Sequence, residues 1–164
     1  MQDTTHSGST EEAVAGYPQW VTWLVRVLAL GGLGVAIYLT VAHYDTKVAL
    51  LCPNSSTINC QEVTTSPESE IVGIPVAVLG LVYYVVVSIL AWWPRARATV
   101  SFEGLRLVVA LGGVGFVLYL VYAEIVEIGA LCLWCTSVHV ITIIIFLTLL
   151  YAWMTYRDRL PAPR

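Results

Sequence analysis

Cys132 and Cys135 stand three apart in the stretch Ala130-Leu131-Cys132-Leu133-Trp134-Cys135-Thr136-Ser137-Val138-His139, where a long apolar run begins. Two thiols at that spacing in a helical turn can close or open a disulfide with little backbone movement. The N-terminal end of a helix favours the thiolate, which is the reactive species. Helical positions i, i+3 and i+7 share a face. Cys132, Cys135 and His139 therefore form a ladder from the water interface into an apolar layer. A soluble thiol protein can reach its top and a lipid-dissolved electron acceptor its bottom. A quinone fits that acceptor, because it takes two electrons and two protons and lives in the apolar layer. The neutral ring of His139 both donates and accepts hydrogen bonds, which suits it to a quinone oxygen or to moving a proton. It can equally be a polar residue satisfied between helices.

Cys52 and Cys60 lie in the longest polar loop, with seven residues between them. A flexible loop of that size closes easily and can carry a disulfide that swings between a partner and Cys132, or hold a static staple. Thiol–disulfide exchange proceeds through thiolate attack, so a relay needs mobility and access. Glu124 and Glu127 oppose it, since nearby carboxylates raise a thiol pKa; the helix end must outweigh them, or they must face away. Cys132, Cys135 and His139 offer three metal ligands on one helix but lack a fourth, so no metal is expected. Asn54-Ser55-Ser56 matches a glycosylation sequon, but a glycan there would obstruct a mobile Cys52.

The elements that position these residues read as membrane spans. The chain has 164 residues, 58% hydrophobic and 12% charged, with mean hydropathy +0.78; soluble domains are nearer ~45–50% apolar. The net charge of −3 gives no sign of a nucleic-acid partner. Residues 1–16 carry Asp3, Glu11 and Glu12 and no Lys or Arg. They lack the basic start and short apolar core of a cleaved signal peptide, so the first span is expected to do the targeting. Disulfide frameworks suit small domains without a core, so in a membrane bundle the four cysteines want another explanation.

Four spans are expected, at about Val21–His43, Ile71–Trp93, Leu105–Val126 and Leu131–Trp153. Each is ~20 residues or more, enough for ~30 Å of hydrocarbon at ~1.5 Å per residue. Trp20 and Trp23 read as interfacial anchors and Arg26 as a residue close enough to snorkel. Gly31, Gly32 and Gly34, and again Gly112, Gly113 and Gly115, read as patches for close helix approach. Ser66-Pro67 reads as an N-cap and first-turn proline, and Pro75 falls in the first turns of the second span. Arg26, Arg95, Arg97, Arg106, Arg157, Arg159 and Arg164 lie on the side of the termini, and Lys47 alone on the other. Seven against one places the termini in the cytoplasm. All four cysteines then fall outside, where disulfides form. Residues 1–16 are expected to be a disordered cytoplasmic tail, 17–156 a single four-span transmembrane redox domain, and 157–164 a cytoplasmic tail.

The sequence resembles the vitamin K epoxide reductase family in its bacterial form. The matching pieces are Ile37-Tyr38-Leu39-Thr40, Cys52, Cys60, Ser66, Gly73-Ile74-Pro75, Gly80, Tyr83-Tyr84 and Cys132-Leu133-Trp134-Cys135-Thr136, over about residues 24 to 153. The resemblance implies an all-α membrane protein, a four-helix transmembrane bundle around a quinone (ubiquinone or menaquinone type) with an extracytoplasmic cap loop. It implies that Cys135 reduces the quinone, that Cys132 resolves it and exchanges with Cys60, and that Cys52 meets an external thioredoxin-fold partner. Ser66, Val76, Tyr84 and His139 are the implied quinone-binding positions. The setting it implies is a bacterial plasma membrane.

Two departures bear on the reaction. Members acting on the epoxide carry an Asn on the second span and a Tyr on the fourth; Val76 and His139 fall at or beside those positions, which favours a plain quinone. Many bacterial homologues carry a fused thioredoxin-like domain, for which there is no room here, so a separate partner is expected. The expected function is thiol:quinone oxidoreduction in support of disulfide formation. Its alternatives are an epoxide or quinone reductase and a non-enzymatic four-span scaffold with structural disulfides.

Overall fold

A computed structural model of the chain describes residues 17–45, 48, 50–52, 57–94 and 99–161. In chain order the helices are α1 (Gln19–Tyr44), α2 (Cys60–Thr65), α3 (Val76–Trp92), α4 (Val100–Tyr122) and α5 (Leu133–Tyr156). The expected 1–16 tail, Lys47, the Asn54-Ser55-Ser56 sequon, Arg95, Arg97 and Arg164 lie outside the described residues.

Three apolar helical stretches are long enough to cross a bilayer: Gln19–Tyr44, Val100–Ile128 and Leu133–Arg159. At most 28% of the most apolar window of any of them is buried inside the protein. Val27, Leu30, Val108, Leu111, Leu118 and Leu147 stand exposed along them. Apolar surface on that scale matches lipid rather than water. The chain is an integral membrane protein in contact with the bilayer.

The second apolar stretch departs from its expected bounds. Val72 and Gly73 both adopt positive φ, 54° and 76°, and close a two-residue turn between β1 (Glu70–Ile71) and β2 (Ile74–Pro75). Positive φ at both central positions is the geometry of a tight hairpin. Pro75 is therefore the cap of α3 rather than a residue in its first turns, and the helix begins at Val76. Its 17 residues reach about 26 Å at ~1.5 Å per residue, short of a full span.

The other boundaries follow from local chemistry. The Thr99 hydroxyl accepts from the Phe102 N–H at 3.3 Å, with Glu103 in the first turn, so α4 starts at Val100 instead of Leu105. It runs on into a π-helical turn, Ala123–Ile128, which stops at Gly129 in the left-handed region. Only glycine reaches that conformation without cost. The first half of the expected connection Glu127–Ala130 is thus helical.

α1 packs against α3 and α5, and α4 against α5, while α3 and α4 touch far less. The core of Val21, Val25, Ala29, Tyr84, Ile145 and Leu149 lies among these helices. At the end away from the cysteines, Arg26 is held by the protein itself. Its Nε donates to the Ala91 carbonyl at the end of α3, at 3.0 Å, and its guanidinium lies over the Trp23 and Trp92 rings. The buried Arg106 Nη1 donates to both Glu103 oxygens, at 3.1 and 2.8 Å.

The glycine patches do not join helix backbones. Gly32 lies under the Tyr84 ring and Gly113 under the Tyr83 ring, while Gly31, Gly34, Gly112 and Gly115 face open space. A methyl at Gly32 would overlap Tyr84, which is held by its own hydroxyl at 2.9 Å from both the Val138 carbonyl and Thr142 Oγ1. Gly32→Ala should therefore destabilise the bundle by about 1–3 kcal/mol. Gly31→Ala, one residue away, should cost nothing. Thermal unfolding in detergent checks both.

Candidate functional site

Two structures meet at the cysteine end of the bundle. The first is the loop after α1. Cys52 and Cys60 are joined in a disulfide. Asn59 starts α2 by accepting from the Glu62 N–H at 3.2 Å and donating to the Glu62 carboxylate at 2.9 Å. Ile58 pairs in parallel with Leu131: the Asn59 N–H reaches the Leu131 carbonyl at 3.1 Å, and the Leu131 N–H reaches the Thr57 carbonyl at 2.9 Å. Trp134 adds a bond from its indole to the Leu51 carbonyl at 3.1 Å and an edge contact with Tyr38. The loop is thereby clipped onto the residues that open α5.

The second structure is that opening itself. The expected ladder begins differently, because Cys132 is not in the helix but caps it. Its backbone is extended, and its sulfur accepts from the Cys135 N–H at 3.3 Å. A sulfur in this place sits at the positive end of the helix dipole. Cys132 precedes the spanning helix, and its thiol is held below the ordinary value. The hydrogen bond from the Cys135 thiol is the main cause, opposed by burial and by the Glu124 charge. Cys132 is also not open to a soluble partner. It is 0% exposed, as is Cys60, and the two share one buried cluster with Leu39, Val63 and Ala130. Cys52 is half-buried at the edge of that cluster.

Cys135 faces the other way, into a cavity of about 500 Å³ between α1, α3, α4 and α5. The lining is mostly apolar, with Val76 and Leu39 among its residues. Tyr84 and His139, both expected here, line it as well. His139 is 5% exposed, and its Nε2 is buried without a hydrogen-bond partner among the described residues. Ser66 is not on the wall. Its hydroxyl donates to the Val63 carbonyl at 3.2 Å, and Thr64, Glu68 and Ser69 take the wall positions instead. Ser66 does precede a short 3-10 turn, Pro67–Ser69, but its side chain makes no cap bond.

Two wall residues were not singled out by their spacing. Thr142 continues the face of Cys135 and His139 at i+7 and i+3, so extending the ladder one step finds it. Glu124 does not face away, which leaves the helix end to outweigh its charge. It is 4% exposed, shares the cavity wall with Cys135, and lies beside the Cys132 backbone N–H and the Cys135 thiol. Glu127, on the same π turn, is exposed. Nothing in the sequence announces that turn, and the turn decides which of the two carboxylates points inward.

Fold and site together define a helical membrane protein with a free dithiol set between a capping disulfide and an apolar cavity. The model of the vitamin K epoxide reductase family matches residues 23–150, and the chain belongs to that family. It is a family of oxidoreductases associated with quinone substrates. No curated protein matches the chain.

Proposed function

We propose that the protein is a membrane thiol:quinone oxidoreductase that draws electrons from a thioredoxin-fold partner and so supports disulfide formation. The observation that carries this reading is the division of the four sulfurs. Cys52–Cys60 is oxidised, while Cys132 and Cys135 are free thiols. This is the state reached when an electron pair has already moved from the loop to the dithiol. A partner thiolate attacks Cys52, the half-buried sulfur, and releases Cys60. Once the dithiol has given its electrons to the quinone and closed as Cys132–Cys135, Cys60 attacks Cys132 inside their shared cluster and releases Cys135; Cys52, freed from the partner, then displaces Cys132 and restores Cys52–Cys60. Cys135 faces the cavity and is the sulfur in position to pass electrons on.

The cavity fits a quinone ring and part of its tail. Its walls are apolar, and the unpartnered Nε2 of His139 supplies a polar atom for a ring oxygen. A quinone bound there takes two electrons and two protons. Tyr84 holds the wall through Thr142, and Val76 offers only an apolar surface. The absence of an amide at Val76 supports a plain quinone, of the ubiquinone or menaquinone type, over an epoxide. Val76–Trp92 completes a four-span bundle with its flanking residues. The Lys and Arg distribution supports cytoplasmic termini and cysteines on the outer face of a bacterial plasma membrane.

Purified protein in detergent, given a reduced thioredoxin-fold donor and a quinone, should sustain quinone reduction followed by absorbance. Absence of turnover with every quinone, from protein whose cysteines stay oxidised and inert under mild reductant, would leave a four-span scaffold with structural disulfides.

A further inference from the structure

We propose that Glu124 is the catalytic base of the dithiol, taking the Cys135 proton and passing it into the cavity. The proposal rests on the thiol:quinone reading and adds the proton path to it. A carboxyl group inside a membrane protein is costly and is kept for a function or a partner. Among the described residues two glutamates are buried, and they differ. Glu103 is 3% exposed and is paired with Arg106. Glu124 is 4% exposed, and among the described residues no Lys or Arg lines the cavity it faces. It stands on the same wall as Cys135, with the Cys132 backbone N–H and the Cys135 thiol as its polar neighbours.

The π turn Ala123–Ile128 creates this placement. Such turns insert one residue into a helix and often occur at functional sites. Here the turn aims Glu124 at the sulfurs and leaves Glu127 outside. The other titratable groups around Glu124 are His43 from α1, Glu68 from the 3-10 turn, Tyr83 and Tyr84 from α3, and Cys132, Cys135 and His139 at the start of α5. Cys135 has the Cys132 sulfur and the Glu124 carboxylate as its two neighbours able to accept a proton.

The balance is as follows. Both S–H bonds break as the Cys132–Cys135 S–S bond forms, releasing two electrons and two protons. Glu124 takes the Cys135 proton directly and the Cys132 proton afterwards, across the contact between the two sulfurs. It releases each into the cavity. The two electrons and two protons match the uptake of one quinone, reduced to its hydroquinone.

Glu124→Gln keeps a polar side chain of the same size beside the sulfurs but cannot take up a proton. With a small dithiol donor its kcat should fall on the order of 10²-fold with the quinone KM unchanged, as loss of a general base does. The deficit should shrink as pH rises, because hydroxide can then remove the thiol proton. Glu124→Asp should recover part of the rate, and Glu127→Gln should match wild type. A second readout needs no quinone. Infrared difference spectra between dithiol and disulfide protein, oxidised with a small disulfide, should contain a carboxyl stretch that disappears in Glu124→Gln. If that variant does not fold, a shift of the band in Glu124→Asp serves instead. A kcat within about twofold of wild type across the pH range, or a spectrum without a Glu124 band, overturns the proposal. If wild type reduces no quinone, the thiol:quinone reading fails, and the infrared band alone decides the role of Glu124.

Discussion

Cys135→Ala should abolish quinone reduction with every thiol donor, a loss on the order of 10³-fold or more, as removal of a reacting nucleophile does. The reason is positional. Cys135 is the one cysteine on the cavity wall, whereas Cys132 and Cys60 have no exposed surface and Cys52 belongs to the loop. None of the other three can replace it without rebuilding the start of α5. The fold should survive. The first turn of α5 is held by the Cys132 cap, and its Thr136 N–H bonds the Cys132 carbonyl at 2.8 Å; neither needs the Cys135 side chain. Circular dichroism and thiol mapping should therefore show a native helix content and an intact Cys52–Cys60 disulfide. Retained turnover within about tenfold of wild type would mean that the cavity is not where electrons leave the protein.

Cys52→Ala should separate donors by size. With a protein donor the loss should be on the order of 10²-fold or more, because Cys60 is fully buried and a folded partner cannot reach it. A small dithiol should still support turnover, entering by the cavity to reduce Cys132–Cys135 directly. The double variant Cys52→Ala, Cys135→Ala leaves one thiol on each side of the buried cluster. On mild oxidation it should collect as a Cys60–Cys132 disulfide, detected by mass spectrometry of the joined peptides. Unchanged turnover of Cys52→Ala with a protein donor would show that the partner meets another sulfur.

Much of this arrangement is legible in the sequence, and what is hidden has physical causes. The apolar runs locate all four long helices, because lipid imposes length and composition. The face shared by Cys135 and His139 follows from spacing alone; spacing also shows that the loop from Cys52 to Cys60 can close, but not which of the four cysteines pair at rest. The start of α3 is misplaced because Ile71, Ile74 and Val76 read as a continuous apolar run, while Val72 and Gly73 turn the backbone within it. Cys132 reads as a helical residue because an extended cap and a first helical turn have the same composition. The patches at Gly32 and Gly113 mark close approach correctly but not its partner. A tyrosine ring and a helix backbone make the same demand on the glycine they cover. Glu124 is hidden for a different reason: a single extra residue in one helical turn rotates every later side chain, and no residue type announces it.

The complete burial of Cys60 and Cys132 has a consequence for leakage. A redox chain between two pools is useful only if its middle cannot be short-circuited. Small oxidants or free thiols that reached these sulfurs would discharge electrons without passing the partner or the membrane. In the relay proposed above, 0% exposure at both insulates the middle of the path and leaves Cys52 at the loop and Cys135 at the cavity as its terminals. Fidelity then depends on how rarely the clip between Ile58 and Leu131 opens, relative to how often electrons pass.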